Sequence, residues 1–271
     1  MHAKESGAAM FARYAYPPNE LGYCGPADPE PLLAATGGSV VDGSADGLRS
    51  LAERFNGAWC YLETLARGTG VADPLDHRVV EAYWLGNPLL ERLGGAEFAR
   101  AVTERFGDQY GARLSGLTPE YPSAGSGGPS GSDAAAGAAR AHHGYHVFEV
   151  YPWTGLLGAG DGQPALSVLD RCRIRWGTVV AVDGDHALVR SRPLTWDGTR
   201  LGLGPSRTEV PRWASGGRSL LPRVRVGDRV ALHWDWICDA LSPRQLIQLR
   251  RRTARQLELT NGGLAVAHAQ A

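Results

Sequence analysis

The sequence predicts an α+β protein, with a mainly helical N-terminal half followed by a small β-barrel and a C-terminal helix. Two changes along the chain predict this class. Apolar residues recur every three or four positions up to about residue 106, which is typical of amphipathic helices. After residue 172 they alternate with polar residues, which is typical of strands. Between the two patterns lies a stretch rich in Gly, Ser and Ala without any apolar period.

These changes divide the chain into regions. We predict a helical domain over 1–115, a Gly/Ser/Ala-rich flexible linker over 116–141, a connecting strand segment over 142–169, the β-barrel with its helix over 170–260, and a frayed tail over 261–271.

Periodicity and breakers predict the elements of the helical half. Prolines and glycines over 11–28 argue against a long regular element there. Residues 45–67 carry a helical apolar stripe, with a possible kink at a glycine. Asp76 is a good N-cap for the next helix, which Pro88 ends or bends. A third helix is expected over 95–106.

Alternation and turn residues predict the strands. Residues 142–153 alternate in a way that favours a strand. Residues 174–182 and 186–192 flank an Asp-Gly-Asp step, which predicts a hairpin. A further strand is expected over 226–236, and Ser242 followed by proline predicts the start of the last helix.

Composition limits the classes of function. The 28 basic and 28 acidic residues leave no net charge, so nothing indicates nucleic acid or a membrane surface as a partner. No run of 18 apolar residues exists, and the N-terminus lacks the apolar core of a signal peptide, so we expect a cytoplasmic protein. Thiols stay reduced in that compartment, and none of the four cysteines forms a Cys-x-x-Cys pair.

Three short segments occur in a fixed order in the C-terminal part. Cys172 is followed by Gly177 as a strand begins, the hairpin turn lies at 183–185, and a Val-Gly-Asp turn at 226–228 leads to His233. Over roughly residues 170–257, this ordered set resembles the HypC/HupF hydrogenase-assembly chaperones, although the cysteine of that family normally follows the initiator Met.

The resemblance implies an OB-like, HypC-like barrel and a role as a chaperone, not as an enzyme. It implies that Cys172 binds iron, transiently and as an Fe(CN)₂CO unit, and that His233 supports the thiolate. No permanently bound cofactor is expected. The implied partners are a HypD-like maturation scaffold and the large subunit of a nickel–iron hydrogenase. A thiolate suits such iron because it is a soft ligand, and a nearby imidazole can stabilise it. We therefore expect Cys172 and His233 to lie about 3–6 Å apart.

A second group of possible metal ligands lies upstream. His142, His143 and His146 form a His-His-x-x-His pattern, and Glu149 could add a carboxylate. On a strand, His142 and His146 would share one face. An alternative function is therefore a metal-dependent enzyme that uses His142, His146, Glu149 and Cys172. A protein-binding module is another alternative.

Overall fold

The computed structural model describes residues 6–36, 44–114, 140–158 and 162–270. Its architecture is α+β, as predicted. The helices of the first half are α1 (Gly7–Glu20), α2 (Glu30–Thr36), α3 (Ser44–Glu53), α4 (Asn56–Thr69), α5 (His77–Trp84) and α6 (Gly95–Leu114), with a 3-10 turn at Pro88–Glu91. The predicted linker at 116–141 falls almost wholly outside the described residues.

The predictions for α3 to α6 are largely confirmed. The expected helix over 45–67 is two helices, α3 and α4, with the break just before the suspected glycine. Asp76 caps α5 by accepting a hydrogen bond from the backbone N–H of Arg78. Helix α6 extends beyond the predicted end at residue 106.

Helix α1 contradicts the prediction that 11–28 holds no long regular element. It has 14 residues, and Pro17 and Pro18 lie inside its last turn. There they remove only the hydrogen bonds to the carbonyls of Arg13 and Tyr14, because a helical N–H bonds four residues back. The helix is buried along most of its length. Packing therefore outweighs the local cost of the two prolines.

The second half is built on a five-stranded antiparallel sheet in the order β5-β2-β1-β8-β9. Its strands are β1 (Arg175–Asp183), β2 (His186–Ser191), β5 (Arg207–Glu209), β8 (Arg229–His233) and β9 (Trp236–Ala240). Two small hairpins pair β3 (Leu194–Trp196) with β4 (Leu201–Leu203), and β6 (Ala214–Ser215) with β7 (Arg218–Ser219).

Turn chemistry explains the two long hairpins of the sheet. Asp183 pairs with His186 across the predicted Asp-Gly-Asp turn, where Gly184 has a positive φ. The predicted strand over 226–236 is instead β8, a two-residue turn and the start of β9. Within the described residues the sheet does not close on itself, so the predicted barrel is not confirmed.

The prediction of a connecting strand in 142–169 is wrong. This region holds helical turns at His143–Tyr145, His146–Val150 and Pro152–Leu156, and then α7 (Gln163–Cys172). The turn at His146–Val150 is a π-helix. Apolar residues and histidines alternate here, but nearly all of them are buried, so the pattern does not mark one exposed face. We call residues 142–150 the histidine segment.

The predicted frayed tail over 261–271 is also wrong for the residues that the structure describes. The last helix, α8, covers Pro243–Gln270. The Asn261 side chain holds it against β4, since its amide oxygen and nitrogen both bond to the backbone of Leu201, at 2.8 and 2.9 Å.

One hydrophobic core joins the two halves. It contains residues of α1, α4, α5 and α6 together with Ala231, Trp236 and Cys238 of the sheet. Arg13 of α1 is paired with Asp239 of β9 at 3.2 Å, and both side chains are largely buried. Helix α1 therefore lies directly against the sheet, at the end where β8 stops. Among the described residues, no helix combines the length and hydropathy needed to cross a bilayer.

Candidate functional site

Three potential metal ligands meet where the histidine segment begins and where α7 and β8 end. His143, Cys172 and His233 each offer one ligand atom, and these atoms lie within 4.8 Å of one another. All three residues are buried. The predicted convergence of Cys172 and His233 is thus confirmed. His143, which the sequence indicated only as a possible ligand, completes the group, which we call the ligand cluster.

The backbone around β1 and β8 brings Cys172 to His233. The two strands are antiparallel neighbours, with Arg175 opposite Leu232. Cys172 ends α7 just before β1, and His233 follows Leu232 on β8, so both lie at the same end of the sheet. The backbone N–H of Trp234 also donates to the Arg171 carbonyl at 2.8 Å, which ties the turn after β8 to the end of α7.

The guanidinium of Arg175 strengthens this connection. It donates to the Asp170 and Arg171 carbonyls, both at 3.1 Å, and to the Trp234 carbonyl at 2.7 Å. Its charge is balanced by Glu209 of β5 at 3.0 Å. The buried guanidinium of Arg175 therefore links the segment that carries Cys172 to the turn that follows His233.

His233 has the geometry of a metal ligand already in place. Its Nδ1–H donates to the Tyr14 carbonyl at 2.7 Å. That carbonyl is available because the residue four positions later, Pro18, has no N–H to occupy it. The Nε2 atom has no hydrogen-bond partner within the described part of the chain. Burial, and then the neighbouring His143, lower the pKa of His233, so Nε2 keeps its lone pair.

Both ring nitrogens of His143 form hydrogen bonds, whereas among the described residues His233 has one only at Nδ1. Its Nε2–H donates to the Cys172 carbonyl at 2.8 Å, and this assignment leaves Nδ1 to accept from the Tyr83 hydroxyl at 3.2 Å. Burial lowers the pKa of His143 to about 4. His143 is therefore neutral, and it would have to exchange one of these hydrogen bonds to bind a metal.

The thiol of Cys172 is protonated in the protein alone. Its residue is 7% exposed, and burial, followed by the proximity of Cys24, raises the pKa of the thiol well above its usual range. A metal ion would therefore have to displace a proton when it binds this sulfur. Affinity for metal should consequently increase with pH.

A cavity of about 280 Å³ opens beside the ligand cluster. Cys24 and His146 also line it. Most of the remaining wall is apolar or aromatic: Ala15, Pro18, Tyr23, Phe55, Gly57, Ala58, Tyr83, Trp84, Tyr151, Pro152, Trp153, Val168 and Trp234. Trp234 has a φ of 50°, a conformation that is uncommon for a residue other than glycine. Such backbone strain often occurs where a site must be shaped.

The other predicted ligands are placed differently. His142 is buried, but its Nδ1 accepts a hydrogen bond from the backbone N–H of Gly144 at 3.0 Å. The Glu149 carboxylate accepts hydrogen bonds from Gln256 and Thr260 of α8, at 2.8 and 2.5 Å. Neither side chain belongs to the ligand cluster or lines the cavity, so among the described residues His142 and Glu149 do not join Cys172 in the site expected for the alternative enzyme.

Sequence reasoning missed two contributors. Cys24 lines the cavity, where burial raises the pKa of its thiol to about 12. The Tyr14 carbonyl that orients His233 was also missed. The adjacent prolines at 17 and 18 were the available signal for it, because two prolines within a helix leave two carbonyls without their usual partners.

The comparisons with known proteins identify a family but not an activity. A model described as a family of unknown function, DUF6390, matches residues 3–267, so the chain belongs to that family. No curated protein and no solved structure matches it. The resemblance to HypC/HupF therefore stays a prediction.

Proposed function

We propose that this protein is a metal-handling accessory protein that receives iron at Cys172 and His233, with His143 as the third ligand. The observation that carries the proposal is a buried ligand cluster on the wall of a largely apolar cavity. One thiol and two imidazoles form a set that suits iron, zinc and other borderline transition metals. Carboxylate-rich sites, by contrast, suit magnesium and calcium.

The cavity favours a metal that arrives with small ligands. Its volume of about 280 Å³ exceeds the space that a metal ion alone needs. The largely apolar wall would accept diatomic ligands. These features agree with the Fe(CN)₂CO unit implied by the resemblance, which would be the cargo of the protein and not its resident cofactor.

We further propose that residues 170–260 correspond to the HypC-like module of hydrogenase maturation. The adjacency of β1 and β8, which places the cysteine beside the histidine, supports this correspondence. On this proposal the protein works in the cytoplasm as a chaperone. It would meet a HypD-like scaffold and pass iron to the large subunit of a nickel–iron hydrogenase.

Metal binding is tested first. Reduced protein is titrated with Fe²⁺ under anaerobic conditions, and bound iron is measured after gel filtration. We expect the wild type to retain iron and Cys172→Ser to lose it, because serine preserves size but not the soft ligand. Cys60→Ser is the matched control, since Cys60 lies on α4 and is not among the cavity-lining residues. Equal iron retention by the two variants would contradict the proposed site.

The cellular role is tested by hydrogenase activity. A host that carries a nickel–iron hydrogenase and this gene is reduced to a single copy encoding either Cys172→Ser or Cys60→Ser. We expect activity to be lost only with Cys172→Ser. Wild-type hydrogenase activity in the Cys172→Ser strain would refute the maturation role, even if the purified protein binds iron.

A further inference from the structure

His146 brings a polar atom into the cavity that the ligand cluster does not use. The residue is only 4% exposed and lines the cavity together with His143, Cys172 and His233. Its Nδ1 lies 3.1 Å from the Tyr61 hydroxyl. Its Nε2, on the opposite edge of the ring, has no hydrogen-bond partner among the described residues. A buried polar atom without a partner costs free energy unless a ligand satisfies it.

The hydrogen bond to Tyr61 indicates which nitrogen carries the proton. The only hydrogen-bond acceptor that the described residues provide for this buried tyrosine is His146 Nδ1. A buried hydroxyl proton needs an acceptor, so Tyr61 donates to Nδ1. The proton of the neutral imidazole is then on Nε2. His146 therefore presents an N–H donor.

The space beside this donor is kept open by Gly57. A Cβ atom at that position would lie 2.8 Å from His146 Nε2. Gly57 also lines the cavity. Any other residue at position 57 would place a Cβ against the N–H, and glycine leaves the N–H uncovered on that side.

The charge of the wall restricts which ligand can fit. Among the described residues, no Lys or Arg lines the cavity. A free anion would therefore be buried without a counter-charge, which is unfavourable. An anion bound to a metal at the ligand cluster would have that counter-charge, and it would lie in the same cavity that His146 lines.

From these contacts we infer that the Nε2–H of His146 donates a hydrogen bond to a small anionic ligand carried by the metal, for which azide is a suitable probe. The inference rests on the proposed metal site and adds the residue that binds the metal's ligand. His146 belongs to the histidine segment, outside the part of the chain that resembles HypC/HupF. It is a binding residue for the ligand and not a metal ligand.

The test uses the full-length protein loaded with Co²⁺, with azide as the probe. Cobalt binding is followed by its visible absorption, and azide binding by the change in that spectrum and by the azide infrared stretch. His146→Phe keeps the ring volume and removes the donor. His146→Gln restores an N–H donor on a side chain without a ring. His186→Phe, at an exposed position, is the control.

We expect His146→Phe to weaken azide binding about tenfold to a hundredfold, the range for losing a hydrogen bond to a charged group, with cobalt affinity unchanged. His146→Gln should recover part of the loss, and His186→Phe should behave as wild type. If the wild type binds cobalt but not azide, or if His146→Phe binds azide as well as wild type, the inference is wrong while the proposed metal site stands. If the wild type binds no cobalt, the metal site and the inference both fail.

Discussion

Replacement of Arg175 by methionine should loosen the ligand cluster without touching a ligand. The Arg175 side chain is 3% exposed and fastens the end of α7 to the turn after β8. Methionine fills a similar volume but donates no hydrogen bonds. The carbonyls of Asp170, Arg171 and Trp234 would lose this donor, and Glu209 would lose its balancing charge.

The expected loss of stability follows from these contacts. Removing one partner of a buried ion pair costs about 3–5 kcal/mol, chiefly because the other charge remains buried. Glu209 is 21% exposed, so water compensates part of that cost, and about 3 kcal/mol is the better expectation. Metal affinity should fall about 10- to 100-fold, as it does when residues that orient ligands are changed.

Urea unfolding of the metal-free protein measures the loss of stability in Arg175→Met. Competition with a chelating dye for Zn²⁺ measures the loss of metal affinity. Arg175→Met/Glu209→Gln should recover part of the stability, because the unbalanced carboxylate is gone. Arg190→Met on the exposed face of β2 is the matched control. Unfolding midpoints and zinc affinities of Arg175→Met equal to those of wild type would refute this role for Arg175.

Three further predictions concern the fold. Burial lowers the pKa of His142 and His146 to about 3 and that of His143 to about 4, from 6.5. The three neutral imidazoles contribute their full stability above pH 6.5. Below that pH the unfolded chain binds protons that the folded protein does not, so the free energy of unfolding should be about 4 kcal/mol lower at pH 5.5 for the three together. Melting temperatures that stay constant from pH 7 to 5 would contradict the assignment. Ser242→Ala should cost about 1 kcal/mol in urea unfolding, because the hydroxyl caps α8; no change would exclude the cap. Gly177→Ala should cost about 1–3 kcal/mol, because its Cβ would overlap a valine of β2; a gain in stability would show that the strands separate easily.

Much of the fold could be predicted because local chemistry decides it. Asp76 caps α5, Gly184 makes the β1–β2 turn, and Ser242 with the following proline begins α8. At each of these positions, a side chain or a required backbone conformation determines the structure within a few residues. Such signals are visible in the sequence alone.

The errors occurred where burial on several sides removes the periodic signal. The histidine segment alternates like a strand but forms helical turns, because nearly all of it is enclosed by α5, α6, α7 and α8. Helix α1 contains two prolines that would end an exposed helix. Its packing against both the other helices and the sheet stabilises it. These stabilising contacts join residues far apart in the sequence, so the local sequence pattern does not show them.

The candidate site shows the same division. The resemblance indicated that Cys172 and His233 would meet, and the structure confirms it. His143 appeared in the sequence only as one of three adjacent histidines. Only the folded backbone of the histidine segment shows that His143 and His146 line the cavity, whereas Glu149 hydrogen-bonds to α8. The sequence alone therefore could not single out His143.

X-ray absorption at the zinc edge of the Zn²⁺-loaded protein tests the central claim most directly. Zinc is redox-inert and can occupy the same thiolate and imidazole ligands. The ligand cluster predicts one sulfur at about 2.3 Å and two nitrogens at about 2.0–2.1 Å from the metal, and loss of the sulfur shell in Cys172→Ser. A shell of oxygen and nitrogen alone in the wild type, or a sulfur shell that survives in Cys172→Ser, would contradict the assignment of Cys172, His143 and His233 as the metal site.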